Sequence, residues 1–244
     1  MYMGTGEGMD LRRIGMKLWV MLGGQCDAES GFIVNVTQIR QVFAQELEKK
    51  EVIQDTAGGI LRWALGVAER KFLECKCLGV ALDLNERMRV GMGAEEPDMM
   101  QVTVRYELAA SHRLWNEQWS RQKNLDCYGK CGNEAGHGHN YLLEVTLRGK
   151  EDGKTGQVVS VEKADKIVKK MILERFDHKN LNADTTEFAV LIPTVENMAK
   201  VFWELLIGRF GKAELYRVRL WETGNTYAEY FGPGAGPLRY GDTI

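Results

Sequence analysis

Residues 131 to 141 read CGNEAGHGHNY, which places a cysteine, a glutamate and two histidines within eleven positions. The whole chain holds four histidines, and none precedes position 112. His137 and His139 alternate around Gly138, so on a strand both imidazoles share one face. His112 closes the alternating segment QVTVRYELAASH, whose pattern predicts a strand that could bring a third imidazole to the pair. Three imidazoles leave a tetrahedral ion one open position, as catalytic zinc requires, whereas structural zinc usually closes with four protein ligands. Cys127 and Cys131 keep the closed alternative open. The His-x-His spacing speaks against it, because finger-type sites separate their histidines by roughly three to five residues on a helix. A single histidine is more often an ordinary surface or hydrogen-bonded side chain, but a trio on adjoining strands favours metal.

The elements that would hold these groups show an internal repeat. LWVMLGGQCDAESGFIVNV (18–36) lies without a gap over LEVTLRGKEDGKTGQVVSV (143–161). Alternating apolar residues flank an Asp/Gly turn in both, which predicts a hairpin. Each hairpin is followed by two helical patterns and two strands. In the second copy, Ala164, Ile167, Val168, Met171, Ile172 and Phe176 mark one helix, and Val195, Met198, Ala199, Phe202 and Leu206 mark the next. In the first copy, Ile39, Val42, Phe43 and Leu47 are followed by Ile60, Ala64, Val67, Ala68 and Phe72. LGVALDL and RMRVGM then match LYRVRLWET and TYAEYFG as closing strands. Fewer than 20 residues precede the first hairpin, so the leading strand there is expected to be short or absent. The fold class is α+β, with two helices on one face of a four-stranded antiparallel sheet in each copy. Domains are expected at 1–95 and 99–232, split by the polar GAEEPDM, with residues 233–244 a loose tail.

With 244 residues and ample apolar content the chain can bury a sizeable core. A net charge of −2 gives no general pull toward nucleic acid or acidic membranes. No apolar run approaches a membrane span, and the N-terminus lacks the apolar core of a signal peptide. Five cysteines, an odd number in a chain of this size, suit reduced thiols and a cytoplasmic location.

The motifs ASHRLWN, NLDCYGKCGNEAGHGHNYLLEVTLRG, DHKNLN, PTVEN and RLWET occur in the order and spacing of the 6-pyruvoyl-tetrahydropterin synthase family. The resemblance spans about residues 101 to 232; residues 1 to 95 resemble that family's T-fold, or tunnelling fold, only through the internal repeat. It implies conversion of 7,8-dihydroneopterin triphosphate to 6-pyruvoyl-tetrahydropterin with loss of triphosphate. It implies Zn2+ held by His112, His137 and His139, and Cys131 as proton-abstracting group, assisted by Asp177 and His178. Glu222 would anchor the pterin, with Thr194 and Glu196 beside it. T-folds close into barrels across subunits and family sites lie at subunit interfaces, so a homo-oligomer is implied.

Each assignment has an ordinary counterpart. Asp177 and His178 could cap a helix end, Thr194 and Glu196 could be first-turn helix residues, and Glu222 a surface acid. Five residues, Gly132 to Gly136, separate Cys131 from His137, as in the biopterin-type enzymes; the 6-carboxy-tetrahydropterin synthases are shorter there. Glu134 stands where another branch of the family carries a glutamate that favours cleavage to 6-hydroxymethyl-dihydropterin. It is therefore an alternative acid/base, or else a solvated loop charge. Arg113, Lys123, Lys130 and Lys179 are candidates for the triphosphate. Without histidine, and with Leu84 aligned to Glu222, the first copy is expected to be non-catalytic and kept for assembly. A zinc-binding structural or interaction module is the non-enzymatic alternative.

Overall fold

A computed structural model describes residues 3–11, 16–49 and 56–234. The described residues form two compact units. One contains the chain up to Thr103 together with Arg148–Val158; the other contains Val104–Leu147 and Val159–Gly234. Most of the expected tail, residues 235–244, lies outside the described residues.

In the first unit β1 (Met3–Leu11), β2 (Met16–Gly24), β3 (Lys76–Asp83) and β4 (Met88–Gly93) are neighbours in that order, each pair antiparallel. β1 pairs with β2 over its whole length, Met3 opposite Gly24 and Leu11 opposite Met16. The leading strand expected to be short or absent is therefore present, though shorter than its thirteen-residue counterpart β5 (Met100–His112). Leu18, Val20 and Leu22 alternate into the core, as do Val80 and Leu82. They meet the apolar stripes of α1 (Val36–Glu48) and α2 (Ala57–Lys71), chiefly Ile39, Phe43, Leu61, Ala64 and Ala68. Phe43 meets Trp63 edge-on and stacks with Phe72.

In the second unit the neighbours run β5, β6 (His137–Gly149), β8 (Glu214–Thr223), β9 (Thr226–Tyr230). The two-residue β7 (Lys179–Asn180) lies parallel to β5, with Ala110 opposite Lys179. Before β6 come α3 (Arg121–Tyr128) and a 3-10 turn at Gly129–Gly132. After it, α4 (Val161–Val168) runs through a π turn at Lys169–Leu173 into α5 (Glu174–Phe176). The short α6 (Leu181–Asp184) and the amphipathic α7 (Val195–Leu206) follow. Phe176, Phe188 and Phe202 form a fully buried aromatic cluster under α7. The fold is α+β, built on antiparallel sheet with β7 the parallel exception.

The predicted hairpins are not hairpins. Phe32–Asn35 and Gln157–Ser160 remain loop, and Val36 and Val161 are the first residues of helices. The residue between each pair of valines is an N-cap: Asn35 accepts from the Thr37 N–H and Ser160 from the Lys163 N–H. An apolar residue on each side of a cap mimics strand alternation over three positions, which is why the period misled. The aligned loops nevertheless share one geometry. Asp27 Oδ1 accepts from the N–H groups of Glu29 and Ser30 and from the Ser30 hydroxyl. Asp152 Oδ1 accepts from the same atoms of Lys154 and Thr155. Gly31 and Gly156 take φ of 72° and 68°, and their N–H groups reach the carbonyls of Asp27 and Asp152.

Because both caps serve the same junction, Asn35→Ser and Ser160→Asn are expected to leave stability nearly unchanged. Asn35→Ala and Ser160→Ala should each cost about 1 kcal/mol. Urea unfolding, with a shifted midpoint at constant slope, reads the difference.

Candidate metal centre and active site

β5 ends on His112 and β6 begins on His137, so two strand ends present imidazoles to one point. Period-two alternation puts His137, His139 and Tyr141 on one side of β6. The three histidines offer ligand atoms that all lie within 4.8 Å of one another. Ring centroids are 4.6, 4.7 and 5.2 Å apart, and His112 Nε2 is 3.2 Å from His137 Nε2. Tetrahedral arms of about 2.05 Å place ligand nitrogens about 3.3 Å apart, so this separation suits a shared ion.

The tautomer of His112 follows from its partner. Its Nδ1 is 2.8 Å from the carbonyl oxygen of Pro193. A carbonyl only accepts, so Nδ1 carries the proton and Nε2 keeps its lone pair. His112 is wholly buried, and burial pushes its pKa down to about 4, with His137 and His139 adding to the fall. Burial lowers His137 as well, followed by the repulsion of His139. His139 Nε2 and His137 Nδ1 are buried without a hydrogen-bond partner. Three clustered imidazoles with two orphaned ring nitrogens fit a divalent ion better than a purely structural core.

Tyr141 stands behind the cluster, its hydroxyl 3.4 Å from His112 Nδ1 and its ring edge-on to His112 and His139. Sequence reasoning missed this residue, although its place two positions beyond His139 was a usable signal. The Pro193 carbonyl carried no such signal, being main chain from a distant segment. Glu222, near the end of β8, points at the same nitrogens: its Oε1 is 3.5 Å from Nε2 of both His112 and His139. It reaches two of the three imidazoles that together could hold a metal ion.

Cys131 sits in the 3-10 turn, half-buried, with its carbonyl accepting from the Leu114 N–H. Burial, and after it the Glu222 carboxylate, raise its thiol pKa. Asp177 and His178 lie along β5 instead. Asp177 Oδ1 accepts from the Ala109 N–H at 2.8 Å, its Oδ2 is 3.0 Å from His178 Nδ1, and the His178 N–H reaches the Ala109 carbonyl. Burial opposes ionisation of Asp177, but the Ala109 N–H and His178 outweigh it and lower its pKa. The His178 backbone has φ of 58°, and its side chain is 82% exposed. Among the described residues no hydrogen bond or ion pair joins Cys131 to this pair.

Thr194 caps α7 by accepting from the Asn197 N–H, and Glu196 is exposed on the first turn. Glu134 is 75% exposed, 4.0 Å from Arg121 and apart from the histidines. Arg113 lies over Trp115 and Lys123 over Trp119. A cleft of about 540 Å³ includes Arg113, Glu117, Asn182 and Ile192 in its wall. Arg113 is its one basic residue and Glu117 its one acid, a weak cradle for a polyphosphate.

Residues 101–233 match the 6-pyruvoyl tetrahydropterin synthase family model. The chain belongs to this family. It is a lyase. The 6-pyruvoyl tetrahydrobiopterin synthase of Pongo abelii is 40% identical over 132 residues, covering 54% of this chain and 91% of that one. The Homo sapiens enzyme is 39% identical over the same shares. Among solved structures, Caenorhabditis elegans 6-pyruvoyl tetrahydropterin synthase aligns with a TM-score of 0.52 at 34% identity, covering 55% of this chain and 96% of that one. As a member of the 6-pyruvoyl tetrahydropterin synthase family, the chain keeps a three-histidine cluster able to hold a metal ion.

The depressed His112 pKa carries a stability signature in metal-free protein. Unfolded histidine near 6.5 binds a proton that the native ring refuses until about 4. Stability should therefore fall as pH drops through 6.5 and stop falling from this cause below about 4. Urea midpoints of chelator-treated protein, compared with His112→Gln, should show a shallower slope in the variant.

Proposed function

We propose that the chain converts 7,8-dihydroneopterin triphosphate to 6-pyruvoyl-tetrahydropterin with elimination of triphosphate, using zinc held by His112, His137 and His139. The observation that carries this reading is the cluster of three imidazoles, one of them fully buried, at the point where β5 and β6 converge. Zinc, when bound, supplies positive charge that favours alkoxide and enolate forms of a substrate side chain. Cys131 takes a proton from side-chain carbon, for which it must be a thiolate. Glu222 accepts from the N–H edge of the pterin through its free carboxylate oxygen. Thr194 and Glu196 would stand beside the pterin in this reading, supported by the bond from His112 to the carbonyl of Pro193, the residue before Thr194. Oxidation of the two carbinol carbons is balanced internally, two electrons reducing the dihydropterin ring and two reducing the carbon that loses triphosphate, so no nucleotide cofactor is needed.

Asp177 and His178 form an acid–base dyad exposed to solvent rather than a partner of Cys131 within one chain. The reading that suits this placement is a homo-oligomer in which the dyad serves the thiol of a second copy. Glu134, in solvent beside Arg121, is a loop charge in this reading, which disfavours the aldol-cleaving alternative. Nothing about the first unit suggests chemistry. It has no histidine, and Leu84 stands where the repeat places Glu222.

We read the two halves as a tandem duplication of one ββααββ T-fold unit. The matching Asp27 and Asp152 turns support this, as do the paired caps Asn35 and Ser160. A constant offset of 138 residues relates Thr56, Ile60, Val80 and Leu82 to Thr194, Met198, Val218 and Leu220. The first copy is accordingly non-catalytic. Among the described residues no helix is long and apolar enough to cross a membrane, and the reading takes the small polar pterin to be handled in the cytoplasm.

Mass spectrometry of the products from zinc-loaded protein and dihydroneopterin triphosphate should find 6-pyruvoyl-tetrahydropterin. Detection of 6-carboxy-tetrahydropterin or 6-hydroxymethyl-dihydropterin instead would sink this reading. Cys131→Ala should retain zinc by metal analysis and lose about a hundredfold or more of turnover. A fully active variant would remove the cysteine from the reaction.

A further inference from the structure

The turn that carries Cys131 is held by the residues that follow His112. The Leu114 N–H donates to the Cys131 carbonyl at 2.9 Å, and Arg113 Nε donates to the Gly132 carbonyl at 3.3 Å. The far end of the same loop closes on this segment too. A Cβ at Gly136 would lie 2.9 Å from the His112 carbonyl oxygen, and Gly136 has φ of 67°. Residues 131–136 are thus seated on 112–114 at both ends.

Residues 113 and 114 lie just beyond the end of β5, and Asn182 sets their course. The Arg113 N–H donates to Asn182 Oδ1 at 2.7 Å, and Asn182 Nδ2 donates back to the Arg113 carbonyl at 3.1 Å. The register explains the pairing. Lys179 stands opposite Ala110 and Asn180 opposite Ser111 in a parallel ladder, so the same count brings Asn182 opposite Arg113. By then the main chain has turned into α6, and the Asn182 N–H donates to its cap, Asn180 Oδ1. A side-chain amide has the donor and acceptor of a peptide group, so it extends the ladder where the backbone has left it. Arg113 Cζ lies 3.9 Å from the centroid of the Trp115 ring, which restricts the swing of the guanidinium.

We propose that Arg113 and Asn182 are positioning residues for the Cys131 thiol: Asn182 fixes the course of residues 113–114, and Arg113 fixes the turn against them. This rests on the reading of Cys131 as the group that takes a proton from substrate carbon. Neither residue has to touch substrate. Transfer of a proton from carbon depends on the separation of the two atoms, and a misplacement of about 1 Å can cost about a hundredfold. Tying the thiol's turn to the residues after His112 puts base and imidazoles on one frame, so their spacing is kept. The two Asn182 bonds lie at the surface, where water can satisfy what a substitution leaves unpaired, so the fold does not depend on them. Their effect is on geometry.

Zinc-loaded Arg113→Met, which keeps the stem and loses the donor, should retain its metal and its KM while kcat falls about ten- to a hundredfold. Arg113→Lys, which keeps a donor on a flexible stem, should recover part of that loss. Asn182→Ala should lower kcat in the same way with Arg113 intact, and so serves as the second variant. Iodoacetamide labelling of the cysteines, read by peptide mass spectrometry, gives a readout without substrate. Half-buried Cys131 should label severalfold faster in Arg113→Met and in Asn182→Ala, with exposed Cys26 as the unchanged reference. A rise in KM at constant kcat would make Arg113 a substrate contact and overturn the proposal. So would unchanged Cys131 labelling in both variants, or a kcat loss that Arg113→Lys shares in full and a lowered urea midpoint accounts for. If the unsubstituted protein forms no 6-pyruvoyl-tetrahydropterin while Cys131 labelling still shifts in the variants, the tether stands and only the pterin reading fails.

Discussion

Burial of a neutral imidazole at the end of a strand is the constraint on which the site depends. His112 gives its only proton to the Pro193 carbonyl, so its other nitrogen faces the cluster as a bare lone pair. Were it protonated, a charge would lie buried beside two further imidazoles; burial first, and then those neighbours, push its pKa down to about 4 against the opposing pull of the Pro193 carbonyl. That hydrogen bond also ties the segment entering α7 to the end of β5. Strand geometry supplies the remainder: the spacing of His137, His139 and Tyr141 lets one face of β6 carry two ligands and the aromatic ring behind them.

The opposite face of the same sheet is charged. Arg105, Arg217 and Arg219 interleave with Glu144 and Glu229 across β5, β6, β8 and β9, with Arg217 only 3% exposed. Such pairs offset desolvation more than they add stability. The helix-facing residues Leu143, Val145, Leu147, Val218 and Leu220 provide the apolar burial. Core and chemistry are thereby separated: the sheet's middle is fixed by packing, and reactive groups gather where strands end.

That separation explains what could be read from sequence. The strands and helices were legible because they bury alternate or helical faces, and the histidines because period two dictates their side. The loop-to-helix junctions were misread, since Val34, Asn35 and Val36 satisfy strand alternation while Asn35 acts as a cap. The leading strand β1 was expected to be short or absent because fewer than 20 residues precede β2; it is present at nine residues against thirteen in β5, formed from the glycine-rich MGTGEGMDL by pairing along β2. Main-chain partners such as Pro193 are invisible to any residue-type argument. The placement of His178 on β5, away from Cys131, depends on a parallel two-residue bridge that no local signal announces.

The thiol makes the same point energetically. In the metal-free site Cys131 is disfavoured as a thiolate twice, by burial and by the Glu222 carboxylate. A unit positive charge about 5 Å away, at an effective dielectric near 20, offers about 3 kcal/mol, or about two pKa units. A cation near the thiol would act against both effects. Glu222 then changes sign in its effect on the site: it opposes the bare thiolate but favours the cation that the thiolate needs.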